Sequence, residues 1–125
     1  MIYFFDNNIS PRYAEMLRAL GVNVTALSER FPPNIKDEDF LPQLKDCILI
    51  TGDQRIRTRK IEAAALRQSG ISALFLARFW PRLVLWDQAR WLVTRWPDID
   101  RFTSRTSMGT YAEVQQGGTI RLIDV

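Results

Sequence analysis

Cys47-Ile48-Leu49-Ile50-Thr51-Gly52-Asp53 is the stretch whose reading decides the fold. Its first five residues form an apolar run with no polar alternation, which suits a strand covered on both faces, as in parallel sheets. Ile2-Tyr3-Phe4-Phe5 is a run of the same kind, closed at once by Asp6. Between the two, Ser10 reads as a helix N-cap with Pro11 in the first helical position. Tyr13, Met16, Leu17 and Leu20 then recur at helical spacing until Gly21. Val22 to Leu27 is a second strand, followed by a turn at Phe31-Pro32-Pro33-Asn34. Asp37-Glu38-Asp39 opens the next helix, with Phe40, Leu41 and Leu44 as its apolar face. Pro42 is tolerated only in a first turn, so the regular helix is expected to begin near Asp39. Beyond Asp53, Lys60 to Ser69 is a good helix former stopped by Gly70, and Ile71 to Ala77 is a fourth strand. The order β-α-β-α-β-α-β predicts an α/β fold, a mainly parallel sheet with helices on both faces.

The remainder has a different pattern. Leu83, Val84, Trp86, Ala89, Leu92, Val93 and Trp96 form a helical stripe over Pro81 to Trp96, and Pro97 is expected to break it. A second helix is expected from about Pro97 to Ser104. That spacing places Trp86 and Trp96 in the core and Trp91 on the flank. Tyr111 to Val114, the Gly117-Gly118 turn and Thr119 to Ile123 read as a β-hairpin. The expectation is one domain over residues 1–125, with a β/α core over 1–80 and a helical and hairpin extension over 81–125.

Composition limits the chemistry. The chain has 125 residues, 46% apolar and 25% charged, the proportions of an ordinary globular domain. It has no histidine and one cysteine, Cys47. Imidazole-based triads, His-ligated zinc sites and disulfide frameworks are thereby excluded. What remains is carboxylate, hydroxyl, guanidinium, a lone thiol, or a metal held by oxygen. The net charge of +3 rests on fourteen arginines and only three lysines. Arginine is the residue of bidentate phosphate contact, and the balance favours a polyanionic partner; a coding bias toward arginine produces the same composition. No apolar run reaches the roughly 18 residues of a membrane span. The opening Met1-Ile2-Tyr3-Phe4-Phe5-Asp6 lacks the basic segment of a signal peptide, so a cytoplasmic, membrane-free location is expected.

Two acids stand out by position. Asp6 follows the first strand directly, and Asp53 follows the third by two residues. Right-handed crossovers with strand order 2-1-3-4 put a crevice between strands one and three, beyond their carboxyl ends. Both aspartates would face it. Asp37, Glu38 and Asp39 are ordinary first-turn acids on one reading. Three adjacent acids also exceed what one cap requires, which leaves one free to face the crevice. Clustered carboxylates repel and raise each other's pKa, and a divalent cation relieves this. After Asp53 come Arg55, Arg57, Arg59 and Lys60, which, with Arg12, are candidates for contacts to RNA phosphates. The alternative for that run is a solvated helix start.

Phe5-Asp6-Asn7-Asn8-Ile9-Ser10-Pro11, Pro33-Asn34-Ile35-Lys36-Asp37-Glu38-Asp39-Phe40 and Ile48-Leu49-Ile50-Thr51-Gly52-Asp53-Gln54-Arg55-Ile56 resemble the acidic motifs of small PIN-like domain proteins. The resemblance extends to the VapC-type toxins of bacterial toxin–antitoxin pairs and covers about Met1 to Pro97. It implies a three-layer PIN-like fold and a Mg²⁺- or Mn²⁺-dependent ribonuclease held in check by a small antitoxin protein. Carried over by position, Asp6, Asp37 and Asp53 match the metal-binding acids, with Glu38 in reserve for Asp37. Asn8 matches a polar residue of the first motif, expected to orient Asp6 or a metal-bound water. The chain departs from the pattern at Arg55, where many PIN domains place a further aspartate. The hairpin is a candidate for dimer or antitoxin contact.

Three rival readings fit parts of the same pattern. A response-regulator receiver needs a lysine after a fifth strand, and no lysine follows Lys60. An aspartate-nucleophile phosphatase needs Asp-x-Asp after the first strand, where this chain has Asn8. A PIN-like RNA-binding module without catalysis is the stronger rival, favoured by Arg55 and opposed by Asp6, Asp37 and Asp53.

Overall fold

A computed structural model describes residues 1–125. Six strands form one sheet in the order β2-β1-β3-β4-β5-β6. They are β1 (Tyr3–Phe5), β2 (Val24–Ala26), β3 (Ile48–Thr51), β4 (Ser72–Leu76), β5 (Tyr111–Val114) and β6 (Ile120–Leu122). The first five run parallel, and only β6 is antiparallel to its neighbour. The expected order 2-1-3-4 is present, and the C-terminal hairpin extends the same sheet beyond it.

Alternation along the buried strands separates two cores. Tyr3, Phe5, Ile48, Ile50, Leu74, Leu76, Ala112 and Val114 point to one face. They pack there against α1 (Pro11–Ala19) and α5 (Leu85–Arg105). Phe4, Leu49, Ala73 and Phe75 point to the other. That face is covered by α2 (Asp37–Phe40), α4 (Lys60–Ser69) and the turn after α2, with the short α3 (Arg55–Thr58) contributing Ile56. Because both sheet faces are covered, β1, β3 and β4 are buried throughout, and the result is the three-layer α/β architecture that the resemblance implies.

Local signals explain the boundaries. Ser10 Oγ accepts the Arg12 amide at 3.2 Å, with Pro11 in the first turn of α1. Pro42 divides its region more sharply than expected. α2 begins at Asp37 rather than Asp39, stops at Phe40, and gives way to a 3-10 turn over Leu41–Gln43. Phe40, Leu41 and Leu44 are nonetheless buried as expected.

The C-terminal helix corrects two expectations. α5 runs unbroken from Leu85 to Arg105 through Pro97. The proline lacks an N–H for the Val93 carbonyl. Pro97 and Val93 are both exposed, so water can satisfy that carbonyl. The tryptophan assignment is reversed in part: Trp91 and Trp96 are buried, whereas Trp86 is 73% exposed. The buried stripe centres on Leu92, Trp96, Ile99 and Thr103. At 3.6 residues per turn, Trp86 and Val93 lie roughly 90–110° round the helix from that centre, on the same side. The stripe read from sequence was too wide, taking in that flank. No helix is long and apolar enough to cross a membrane.

Candidate metal centre

β1 and β3 are neighbours in register, with Phe5 opposite Ile50. The Asp6 amide continues the ladder by donating to the Ile50 carbonyl at 3.0 Å, which fixes the aspartate at the strand end. Beyond this edge lies a cavity of about 680 Å³. Asp6, Asp37, Glu38, Asp53 and Glu62 line it, against Lys36, Arg55 and Arg59. The trio that opens α2 thus places Asp37 and Glu38 in the pocket, while Asp39 is not among the lining residues.

Asp6 is 5% exposed and held on both oxygens. Oδ1 accepts the Asn7 amide at 2.7 Å, and Oδ2 accepts the Thr51 hydroxyl at 2.8 Å. Thr51, fully buried, is the hub of the site. Its oxygen also accepts Asn8 Nδ2 at 3.3 Å and the Asp53 amide at 3.0 Å. Asn8 therefore acts on Asp6 through Thr51, and its Oδ1 accepts the Gly52 amide at 2.7 Å. Trp80 Nε1 donates to the Asn8 carbonyl at 3.1 Å, pinning the loop from the core side. Gly52 is required by this close approach: a Cβ there would lie 3.0 Å from Trp80 Cδ1 and 3.4 Å from Asn8 Oδ1.

The carboxylates differ electrostatically. Burial raises the Asp6 pKa, with the Thr51 and Asn7 hydrogen bonds working against it. Asp37 is pushed up to about 6, first by burial and then by the charges of Asp6, Asp53 and Glu62. No hydrogen bond relieves it. Burial also works upward on Asp53, but the side-chain and main-chain hydrogen bonds from Arg55 outweigh it and leave its pKa below the usual value. Nε of Arg55 donates to Asp53 Oδ1 at 2.9 Å, Nη2 to Oδ2 at 3.0 Å, and the amide to Oδ1 at 3.0 Å.

The donor set suits a hard divalent cation in chemistry, being all oxygen with an excess of acids. Its geometry is open. The acids ring the cavity, and no three of them converge into a finished metal cage. Asp6 and Asp37 retain free lone pairs, while Arg55 occupies most of those on Asp53.

Of the basic residues singled out by sequence, Arg55 and Arg59 line the cavity, and Arg57, Lys60 and Arg12 do not. Arg57 faces the hairpin, where its Nη1 donates to Glu113 at 3.0 Å and to Gln54 at 3.1 Å. Arg12 lines a separate small cleft with Tyr13 and Trp86. The lone thiol is not part of the site: Cys47 is buried, and burial pushes its pKa up to about 11.

Thr51 and Glu62 were missed by sequence reasoning. Thr51 carried a usable signal, as the only polar residue at the carboxyl end of an otherwise apolar strand. Glu62 carried none beyond being an acid in the first turn of a helix.

No curated protein and no solved structure matches the chain. A family model described as a PIN like domain matches residues 1–78. That span runs from β1 past the end of β4 and includes every acid lining the cavity, and on this match the chain belongs to the PIN-like domain family.

Proposed function

We propose that the chain is a metal-dependent endoribonuclease and the toxin of a type II toxin–antitoxin pair. Nuclease-type function is the coarse expectation for a PIN-like domain. The observation that carries the metal-dependent part of this reading is Asp37: a half-buried carboxyl, without a hydrogen bond, facing Asp6, Asp53 and Glu62 in one cavity. Such an arrangement is relieved by a cation.

Asp6, Asp37 and Asp53 would hold Mg²⁺ or Mn²⁺, with Glu38 at the rim of the same cavity. A divalent cation, when bound there, supplies charge neutralisation at a phosphodiester and makes water more acidic. The chain's own groups do the positioning. Thr51 fixes the Asp6 carboxylate from below, and Asn8 fixes Thr51. Lys36, Arg55 and Arg59 place positive charge at the cavity for the RNA phosphates on either side of the scissile one. A small antitoxin protein is the proposed partner, and the hairpin of β5 and β6 a proposed contact for it or for a second copy.

One observation favours the second reading, an RNA-binding module without catalysis: Arg55 engages both oxygens of Asp53. A single experiment separates the two. Purified protein is incubated with single-stranded RNA with and without Mn²⁺, alongside Asp6→Asn and Asp37→Asn. Cleavage only with Mn²⁺, lost in both variants, is the expected result. Cleavage that survives both substitutions overturns the site, and RNA binding without any cleavage establishes the module instead.

A further inference from the structure

Arg55 and Arg57 lie two residues apart on α3, yet only Arg55 turns back into the acidic cavity. Its amide, Nε and Nη2 together take three of the roughly four lone-pair positions on the Asp53 carboxylate. Asp37 and Glu62 line the same cavity as this ion pair. The Arg55 side chain is also 64% exposed, whereas Asp53 is 16% exposed. An ion pair with one partner mostly in water is weak and readily exchanged. The guanidinium therefore sits on the oxygens a cation needs and has open solvent to move into.

We infer that Arg55 is a displaceable internal counter-ion, neutralising Asp53 while the cavity holds no divalent cation and transferring to an RNA phosphate when one binds. The inference rests on the metal-dependent reading above and deepens it. The cation and Arg55 compete for Asp53, so the metal is bound more weakly than the acids alone would allow. RNA, by giving Arg55 another anion, lifts that competition. Metal and RNA then strengthen each other's binding by the same factor, as linkage requires.

The test needs no cleavage. Mn²⁺ affinity is measured by calorimetry on wild-type protein, Arg55→Ala, Arg55→Gln and Arg59→Ala. Each is measured with and without a single-stranded 2′-O-methyl phosphorothioate RNA, whose backbone resists hydrolysis by water as well as attack by a 2′-hydroxyl. Without RNA, Arg55→Ala and Arg55→Gln are expected to bind Mn²⁺ about fivefold more tightly than wild type. Arg59→Ala removes the same charge from the same cavity without freeing Asp53, and its gain should stay below about twofold. With the RNA, wild-type Mn²⁺ affinity should rise several-fold and that of the two Arg55 variants should not. Equal affinities in wild type and the Arg55 variants overturn the inference while leaving the metal site standing. So does an Arg59→Ala gain as large as theirs, or RNA coupling that persists without Arg55. Absence of Mn²⁺ binding in every protein overturns the metal-dependent reading and this inference with it.

Discussion

Two clusters of opposite charge sit at the carboxyl edge of one sheet, and they are built on different terms. In the seam between α3 and the hairpin, Glu113 accepts from Arg57, Arg121 and Gln115, and Gln54 ties Arg57 to the end of β4 through the Leu76 carbonyl. Arg57 and Arg121 both pair with Glu113. In the cavity beside it five acids meet three cations, and Asp37 has none to itself. Similar residue types give a satisfied network in one place and an unrelieved one in the other. Networks of the first kind fix structure. Tension of the second kind is what a bound cation would relieve, and it singles out this cavity as the candidate site.

The comparison predicts opposite responses to mutation. The largest effect is expected at Asp37. Asp37→Asn should lower Mn²⁺-dependent RNA cleavage by about 100-fold or more, read as kcat/KM. The same change should stabilise the metal-free protein at neutral pH. The folded-state pKa of about 6 stands above the ordinary 3.8, so the folded form holds the extra proton between those values. Stability then falls as pH rises through that window, and urea titrations at about pH 4 and about pH 7 should show the fall in wild type and a smaller one in Asp37→Asn. A variant that loses both activity and stability breaks the contrast.

Thr51→Val comes next. It keeps the shape but deprives Asp6 of a donor, and Asn8 Nδ2 and the Asp53 amide of an acceptor. A loss of about 1–3 kcal/mol is expected in chemical denaturation. Smaller again is Glu113→Gln, which should cost about 0.5–1.5 kcal/mol in the same measurement and leave kcat/KM within about twofold of wild type. If it abolishes cleavage, the seam belongs to the active site and the division fails. Smallest is Arg121→Ala, whose 67% exposed side chain should be worth under about 0.5 kcal/mol in denaturant midpoint.

Much of this arrangement was legible because short apolar runs ending in acids encode both strand burial and crevice position. Asp6 and Asp53 were placed at the crevice that way, as was the strand order of the first four strands, whereas Asp37 was singled out among three helix-opening acids only by the resemblance to PIN-like motifs. The misreadings come from residues whose local signal has two outcomes. Trp86 and Trp91 are both large and apolar, and only the phase set by Leu92, Ile99 and Thr103 decides which one is buried. Pro97 breaks a helix where its unpaired carbonyl partner is buried and is tolerated where it faces water. Arg55 and Arg57 are chemically alike, and a half-turn of α3 sends one to Asp53 and the other to Glu113. Glu62 enters the cavity from a helix more than fifty residues along the chain from Asp6, a proximity that only tertiary packing creates.

The parallel pairing of β4 with β5 has a practical consequence. Ala73 to Leu76 align with Tyr111 to Val114, so the last strand of the matched segment is covered by one lying outside it. β4 is buried along its whole length. A fragment ended at residue 78 would leave Ser72-Ala73-Leu74-Phe75-Leu76 as a bare rim, free to recruit a strand from another molecule. Any shortened form meant to stay monodisperse has to keep the chain through Leu122, even though every acid of the cavity lies before residue 63.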